Sequence, residues 1–453
     1  MENTTKDKFP LKTSLIFIIP SLIGILLFMV PIKFNGEITI PVALMSKFLA
    51  NSLEGYLTSI ITLIICISAI FSIITKVFKP NFIIKNEFLN TLFNVSPIWF
   101  ISRLLGALFS VLALFNFGPE MIINSGTGTF VLNDLLTILF TIFFFAGLLL
   151  PLLLNFGLLE FFGAILTKVM RPVFTLPGRS SIDCITSWLG DGTLGILLTN
   201  KQYEEGFYSK REAAVISTTF SAVSITFSLI VIDTVGLSNL FIPFYLTVTL
   251  SGIVAAMILP RIYPLRKIPN TYYKNKEKRD DEVIPKEHNS FSWGYSKALD
   301  KASKNPGINA FLIDGIKNVL DMWLGVLPVV MAFATIALII AEYTSVFQIL
   351  GLPFIPYLNL LKVPEALAAS QTLVVGFADM LLPSVLAANS ITSDMTKFIV
   401  ACTSVSQLIY ISEVGGVLLG SKIPVSLKQL IIIFIERTLI TLPVIVLVAN
   451  LIF

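Results

Sequence analysis

Long apolar runs alternate with short polar connections along almost the whole chain. A helix needs about 20 mostly apolar residues to cross the ~30 Å hydrocarbon core of a bilayer. Runs of this length lie near residues 14–32, 56–78, 97–117, 132–154, 212–235, 240–262, 319–341, 395–416 and 428–451. The pattern therefore predicts an all-α polytopic membrane protein with about nine transmembrane helices.

The composition excludes several other classes of protein. Of the 453 residues, 55% are hydrophobic and 13% are charged, whereas about 25% of all residues in a soluble domain are charged, because its surface must be wetted. The net charge of +4 gives no sign of a nucleic-acid partner. Cys66, Cys184 and Cys402 form no CxxC pair, and His288 is the only histidine. We therefore expect no zinc site, no histidine-based metal site and no disulfide framework.

Basic residues are concentrated in a few of the polar connections. Lys and Arg occur before residue 14 and in segments 76–103, 201–211 and 261–304, whereas segment 118–131 contains neither. Connections rich in Lys and Arg stay in the cytoplasm. The asymmetry predicts a multi-pass protein of the cell (inner or cytoplasmic) membrane whose N-terminus is cytoplasmic.

Two moderately apolar segments are too interrupted to be ordinary spans. Gly178–Asn200 is broken by three glycines and an aspartate between residues 189 and 195, and Pro364–Asn389 is broken around an aspartate between 376 and 383. Each arm has about 10 residues, or about 15 Å of helix, which reaches half way across a bilayer. Both segments are typical of re-entrant hairpins, which are tolerated when buried in protein or lining a wet cavity. A short interfacial helix pair or a kinked span is the alternative.

The two hairpins begin two copies of one pattern. Each is followed by a short polar turn and a span with a run of hydroxyl residues, at 216–228 and at 399–412. Because three predicted crossings separate the hairpins, they should enter from opposite faces, as in the inverted repeats of secondary transporters. The predicted organisation is a scaffold (1–155), a first repeat (156–262, with an amphipathic helix at 157–175), a cytoplasmic loop (263–305) and a second repeat (306–453).

The block Pro177–Ser224 resembles the YjiH-type proteins of the nucleoside-recognition, or Gate domain, superfamily. Gate domains resemble the core of concentrative nucleoside transporters. The resemblance implies two opposed hairpins, two partly unwound helices, and uptake coupled to Na+ or H+. Nucleoside carriers have a Gly-Gln-Thr-Glu-like tip in the first hairpin, where this chain has Gly190-Asp191-Gly192-Thr193.

Asp191 and Asp379 are the sharpest candidates for binding, because each lies at a hairpin tip. A carboxylate near the bilayer centre costs about 2.5–3.5 kcal/mol, so we expect a partner such as a coupling cation or a substrate amine. The alternative for Asp191 is an N-terminal cap on the second arm of its hairpin. Glu436 and Arg437 are adjacent in the last span; we expect them to pair with other helices and assign them no role.

Hydroxyl and amide side chains near the hairpins complete the candidate site. Helical Ser and Thr often bond only to their own backbone or hold helices together, but two facing belts of them could replace the hydration shell of a cation such as Na+. The predicted substrate- or ion-binding residues are Ser180, Ser181, Gly190, Asp191, Gly192, Thr193, Thr218, Thr219, Ser221, Ser224, Gln371, Asp379, Thr403, Ser404, Ser406, Gln407 and Glu413.

The leading functional hypothesis is a secondary active transporter of a small polar metabolite, either nucleoside-like or amino-acid- or amine-like. The alternative is a non-transporting Gate-domain membrane component that works with a partner. An enzyme is disfavoured, since the chain contains no HExxH, GxSxG or GxxxxGK[ST] motif. The expected partners are the lipid bilayer, the substrate, and a second copy of the chain or another Gate-domain protein. No cofactor is expected apart from Na+ or H+ as a coupling ion.

Overall fold

The computed structural model describes residues 11–30, 32–34, 37–190, 192–220, 223, 225–275, 284–285, 288–304 and 307–453. Nearly all of these are helical, and one short antiparallel ribbon joins β1 (Ile32–Phe34) to β2 (Glu37–Thr39). Among the described residues, seven helical segments are long and apolar enough to cross a membrane. The predicted class, an all-α polytopic membrane protein, is confirmed.

The scaffold preceding the first hairpin contains α1 (Leu11–Met29), α2 (Pro41–Ser52), α3 (Leu57–Phe78), α4 (Asn81–Ile84), α5 (Glu87–Phe93), α6 (Pro97–Leu114), α7 (Glu120–Ile123), α8 (Gly128–Phe130), α9 (Leu136–Leu149), α10 (Pro151–Leu154) and α11 (Leu158–Phe174). The next part contains α12 (Ser180–Ile185), α13 (Gly192–Glu205), α14 (Lys210–Thr219), α15 (Ile225–Thr234), α16 (Phe241–Ile258) and α17 (Ser290–Ser303). The last part contains α18 (Ile308–Asp321), α19 (Leu327–Tyr343), α20 (Val346–Gly351), α21 (Ile355–Leu360), α22 (Ala366–Leu373), α23 (Leu382–Ser390), α24 (Asp394–Gln407), α25 (Val414–Gly420) and α26 (Leu427–Ile452).

Two of the predicted spans, 212–235 and 395–416, are not continuous helices. The first is interrupted between α14 and α15, and the second between α24 and α25. Hydroxyl and β-branched residues are concentrated at both breaks, and such residues are weak helix formers. At the second break Leu408 has φ +60°, a left-handed conformation that costs a leucine about 1–2 kcal/mol. The hydropathy prediction was wrong here because it registers apolar length and not helix propensity.

The element order repeats in the two parts of the chain. A hairpin (α12–α13, then α22–α23) is followed by a broken helix (α14–α15, then α24–α25) and by a long helix (α16, then α26). Each hairpin packs against the first half of its own broken helix and also against the second half of the other one, because α13 contacts α25 and α23 contacts α15. The repeats are thus interlocked by reciprocal contacts.

The two broken helices begin on opposite faces of the protein. Arg211, at the start of α14, donates from Nη2 to the Pro260 carbonyl just beyond the end of α16, at 2.8 Å. Phe398, near the start of α24, instead has its ring centroid 6.3 Å from that of Phe244 at the start of α16. Because α16 runs from one face to the other, we call these faces the Arg211 face and the Phe398 face. The opposed entry of the two broken helices agrees with an inverted repeat.

Segments rich in basic residues meet on the Arg211 face. The Tyr295 hydroxyl donates to Ser14 Oγ at 3.0 Å, Lys274 Nζ lies 2.9 Å from Glu87 Oε1, and Ser209 forms a β-bridge with Tyr272. These contacts bring together the start of α1 and segments 76–103, 201–211 and 261–304. The basic segments that the positive-inside rule assigns to one side of the membrane therefore lie on one face of the protein.

The segment predicted as a loop, 263–305, contains a helix in its described part. In α17 the buried residues Gly294, Ala298, Leu299 and Ala302 form one face, which packs on the amphipathic helix α11. Asn289 and Ser292 form a capping box that starts the helix. The high charge of this segment concealed a small apolar stripe with helical spacing.

We predict that cysteines on the two faces label from opposite sides of the membrane. In segment 118–131, Gly128 is buried, and an added Cβ there would collide with the Ile122 carbonyl. The exposed residue Met121 is therefore a better position for a cysteine probe than Gly128. In a background free of the native cysteines, Met121→Cys should react with an impermeant maleimide added outside intact cells, and Thr271→Cys only after permeabilisation. Equal labelling of both in intact cells would contradict the topology.

Candidate functional site

The first hairpin is held closed by a buried polar cluster at its base. Asp183 on α12 is fully buried and accepts hydrogen bonds from Thr199 Oγ1 at 2.8 Å and from Gln202 Nε2 at 2.9 Å, both on α13. Gln202 Nε2 also donates to the Tyr208 hydroxyl at 3.0 Å. The arms approach closely at Gly195, where an added Cβ would collide with the Ser187 side chain. Asp183 therefore locks the two arms together.

The serines that begin this hairpin bond locally. Ser180 Oγ donates to the Pro177 carbonyl and Ser181 Oγ to the Gly178 carbonyl, both at 2.7 Å. The guanidinium of the neighbouring Arg179 lies 3.5 Å from the centroid of the Phe207 ring. These contacts account for Ser180 and Ser181 as parts of the first turn of α12.

The tip of the first hairpin is a π-helical turn, Thr186–Gly190, followed by α13, in which Gly192 and Thr193 are buried. π-Helical turns are often found at functional sites. Asp191, the strongest candidate from the sequence, lies outside the described residues, as do Ser221 and Ser224.

The tip of the second hairpin is bonded to the break in the second broken helix. The Ile411 and Ser412 N–H groups donate to the Phe377 and Ala378 carbonyls at 2.8 and 3.0 Å. Asp379 accepts from Ser412 Oγ at 2.9 Å and from the Leu381 N–H at 2.8 Å. The predicted candidate Asp379 thus joins the tip to the unwound backbone. Glu413 is the last residue before α25 and is half-buried.

The base of the second hairpin is fastened by Glu365. One carboxylate oxygen accepts from the Thr392 hydroxyl at 2.8 Å and from the Ser393 N–H at 2.7 Å, and both oxygens accept from the Thr392 N–H. These hydrogen bonds hold the pKa of Glu365 below its ordinary value, because they favour the charged form.

Since the pKa of Glu365 is lowered in the folded state, its contribution to stability is present above the unfolded-state pKa and is lost as the pH falls through the folded-state value. We predict that Glu365→Gln lowers the melting temperature modestly at neutral pH and has a smaller effect at acid pH. Melting curves of the two proteins at several pH values test this, and a difference that grows on acidification would contradict it.

Most of the predicted hydroxyl belt bonds within its own helices. Thr218 and Thr219 donate to carbonyls four residues earlier, Thr403 does the same, and Ser404 donates to the Ala401 carbonyl. Ser406 is different, since its Oγ lies 2.9 Å from Ser251 Oγ on α16. Gln371 is exposed on the first arm of the second hairpin. Most of these hydroxyl protons are therefore already donated, while the hydroxyl oxygens keep their lone pairs.

Gln407 is the last residue of α24 and lies beside the second hairpin. Its Nε2 donates to the Leu373 carbonyl and to Thr438 Oγ1, each at 2.9 Å, while Oε1 is buried without a partner among the described residues. An added Cβ on Gly376 would collide with this oxygen. Gln407 therefore connects the hairpin, the broken helix and α26.

Arg437, to which the sequence analysis assigned no role, lies where the first halves of the two broken helices, α14 and α24, end. It is 2% exposed in the middle of α26. Its Nε donates to the Ser406 carbonyl in the last turn of α24. Its Nη1 donates to the Thr219 and Thr218 carbonyls in the last turn of α14, at 3.2 and 3.5 Å. The signal in the sequence was an arginine inside a 26-residue apolar helix, since such residues are costly in lipid and commonly functional.

A small central pocket adjoins this junction, and a wide cleft opens on the Arg211 face. The pocket, about 20 Å³, is lined by Trp188 near the first hairpin tip, Leu408 at the second break, and Arg437. It is large enough for about one water molecule. The cleft, about 870 Å³, is lined at the base of the first hairpin by Asn200 and by the ion pair Lys422–Asp321, whose Nζ–Oδ1 distance is 2.9 Å.

Metal-ligating clusters are absent from the described part of the chain, in which no group of three or more His, Cys, Asp or Glu side chains could hold an ion.

Comparisons with known proteins agree with the resemblance noted in the sequence. Residues 136–238 match the family model Gate, described as nucleoside recognition. An uncharacterized protein of Alkalihalophilus pseudofirmus is 49% identical over 437 residues, which cover 96% of this chain and 94% of that protein. Two outward-facing structures of CNTnw variants align with a TM-score of 0.34 each. Their sequence identities are 14% and 12%, and the alignments cover 90% and 100% of this chain and 95% and 94% of theirs.

Proposed function

Because the chain belongs to the same family as the Alkalihalophilus pseudofirmus protein and carries a Gate domain, we propose that it is a secondary active transporter of a small polar metabolite. The observation that carries the proposal is the convergence of two half-helices, α14 and α24. They start on opposite faces and end at one buried point, beside two re-entrant hairpins.

This arrangement is suited to alternating access, in which a central site opens to each face in turn. A half-helix of ten residues reaches about 15 Å from the Arg211 face, and one of fourteen residues reaches about 21 Å from the Phe398 face. The two lengths together slightly exceed the ~30 Å hydrocarbon core, so we expect the two helix ends to meet inside it. Because the base of each hairpin lies beside the start of its own broken helix, the two hairpins enter from opposite faces, and we expect movement of a hairpin to change access from its own face.

The proposed substrate is nucleoside-like or amino-acid- or amine-like, and Na+ or H+ would be the coupling ion. The Gate description supports the nucleoside-like class. The cleft on the Arg211 face, about 870 Å³, is of the size of small-molecule sites, which range from about 300 to 1,000 Å³. We propose that this face is cytoplasmic and that the cleft is the inner vestibule of the transport path.

The test begins with a ligand screen on purified protein in detergent. Nucleosides, amino acids, dipeptides and amines are added in thermal-shift assays with NaCl or choline chloride. A ligand at 100 times its dissociation constant stabilises by about 2.7 kcal/mol. Hits are then tested for uptake into proteoliposomes under an imposed Na+ or H+ gradient. A ligand that binds but is not accumulated under either gradient would overturn the transporter proposal.

A further inference from the structure

Arg437 is a buried cation whose binding partners are backbone carbonyls. Among the described residues, no carboxylate lies within 4.0 Å of its guanidinium, although Lys–carboxylate and Arg–carboxylate ion pairs are present elsewhere. A buried charge normally requires a compensating partner. Here the compensation comes from the Ser406, Thr218 and Thr219 carbonyls.

These three carbonyls belong to the ends of two helices. The last four carbonyls of a helix have no partner within the helix, and the helix dipole places about half an elementary negative charge at that end. Two such ends directed at one point amount to about one negative charge. The guanidinium of Arg437 supplies one positive charge at that point, so the junction is close to neutral.

We propose that Arg437 is a tethered cation that fills a monovalent-cation site formed by the two broken helices. Oxygen atoms from backbone carbonyls are the ligands that hard cations such as Na+ require, and here they are already occupied. A second cation 4 Å away would be repelled by about 4 kcal/mol at an effective dielectric constant of 20. Na+ is therefore excluded from this junction in the native chain. If the chain is the proposed transporter, it follows that the ion coupled to uptake is H+, or Na+ bound at a site away from this junction. This consequence rests on the proposed function.

The first experiment measures melting temperatures of purified variants and does not depend on transport. Arg437→Ala removes the tethered charge and leaves space for a free cation. We expect it to melt well below the native protein and to regain several degrees in low-millimolar guanidinium chloride or in NaCl, relative to choline chloride. The native protein should show no such cation-specific gain. Arg103→Ala is the matched control, because Arg103 is also buried and bonds Ser72 Oγ and one carbonyl, that of Leu92 in the last turn of α5, but does not join the ends of two helices. It should lose stability without gaining a response to Na+.

Two further variants keep the test decisive if Arg437→Ala cannot be purified. Arg437→Lys keeps the charge and three donors, whereas Arg437→Met keeps a similar stem without the charge. We expect the Lys variant to melt well above the Met variant and to be insensitive to Na+. A Met variant as stable as the Lys variant, or an Ala variant that responds no better to guanidinium or Na+ than to choline, would overturn the tethered cation.

The second experiment separates this inference from the transporter proposal. Once a substrate is known, uptake by the native protein should be unchanged when Na+ is replaced by choline, unless Na+ binds away from the junction. Uptake by Arg437→Lys is the decisive measurement, because this variant should show the same dependence on Na+ as the native protein. A Lys variant that becomes Na+-dependent would overturn the tethered cation, whereas failure of every ligand to be accumulated overturns only the transporter proposal.

Discussion

Asp379→Ala is expected to abolish uptake, whereas Asp379→Asn should retain most of it. The carboxylate accepts from the Leu381 N–H and from Ser412 Oγ, so it joins the second hairpin tip to the unwound backbone. Asparagine keeps one oxygen for the Leu381 N–H, and its amide can donate to Ser412 Oγ. Alanine offers neither contact and leaves the tip attached only by the two backbone hydrogen bonds from Ile411 and Ser412.

The comparison of the two substitutions distinguishes a structural carboxylate from an ion-binding one. Uptake into proteoliposomes, normalised to the amount of inserted protein, is the measurement. Ser412→Ala removes only one of the contacts and should have an intermediate effect. If Asp379→Asn were as inactive as Asp379→Ala, the negative charge itself would be required, as the interpretation of Asp379 as a ligand for a cation predicts.

Asp183→Ala is expected to destabilise the protein more than any other single change at the first hairpin. The substitution leaves Thr199 Oγ1 and Gln202 Nε2 without their buried acceptor, and each unsatisfied buried group costs about 1–3 kcal/mol. The two arms of the hairpin would also lose the hydrogen bonds through Asp183 that join them. A large fall in melting temperature and a lower yield of monodisperse protein are the expected results.

Thr199→Val is the matched control for this prediction, because it removes one donor without orphaning the carboxylate, which keeps Gln202. Its loss of stability should be clearly smaller. An Asp183→Ala variant that melts within a degree or two of the native protein would show that the cluster is dispensable and that apolar packing alone closes the hairpin.

The periodicity of the sequence was sufficient for the fold class, and its interruptions were sufficient for the position of the break in each predicted hairpin. Glycine clusters and short arms predicted breaks near residues 189–195 and 376–383, and helix ends lie in both ranges, at Gly190 and Gly192 and at Phe377 and Leu382. The breaks in 212–235 and 395–416 could not be read from hydropathy. The second break is stabilised by hydrogen bonds from a segment about thirty residues earlier in the chain, and such a tertiary contact has no local signature.

The candidate site was predicted less completely than the fold. The sequence identified Asp379 and Gln407, which the structure places in one connected group around the second hairpin and break. It missed Arg437, because a basic residue in an apolar run does not reveal which carbonyls it will meet. It selected hydroxyls such as Thr218 and Thr403, whose protons are donated within their own helices, and their role in binding stays a prediction.

The interlocked repeats also determine the order in which the protein can be completed during synthesis. The first hairpin is finished by residue 205, but one of its partners, α25, ends at Gly420, and the cap on α14 is Arg437. For more than 200 residues of translation, the first repeat must remain in the membrane with helix-end carbonyls that lack their final partner. The insertion machinery or bound water must therefore supply temporary partners for the first half of the nascent chain. These partners are replaced when α26 is inserted and bonds both repeats.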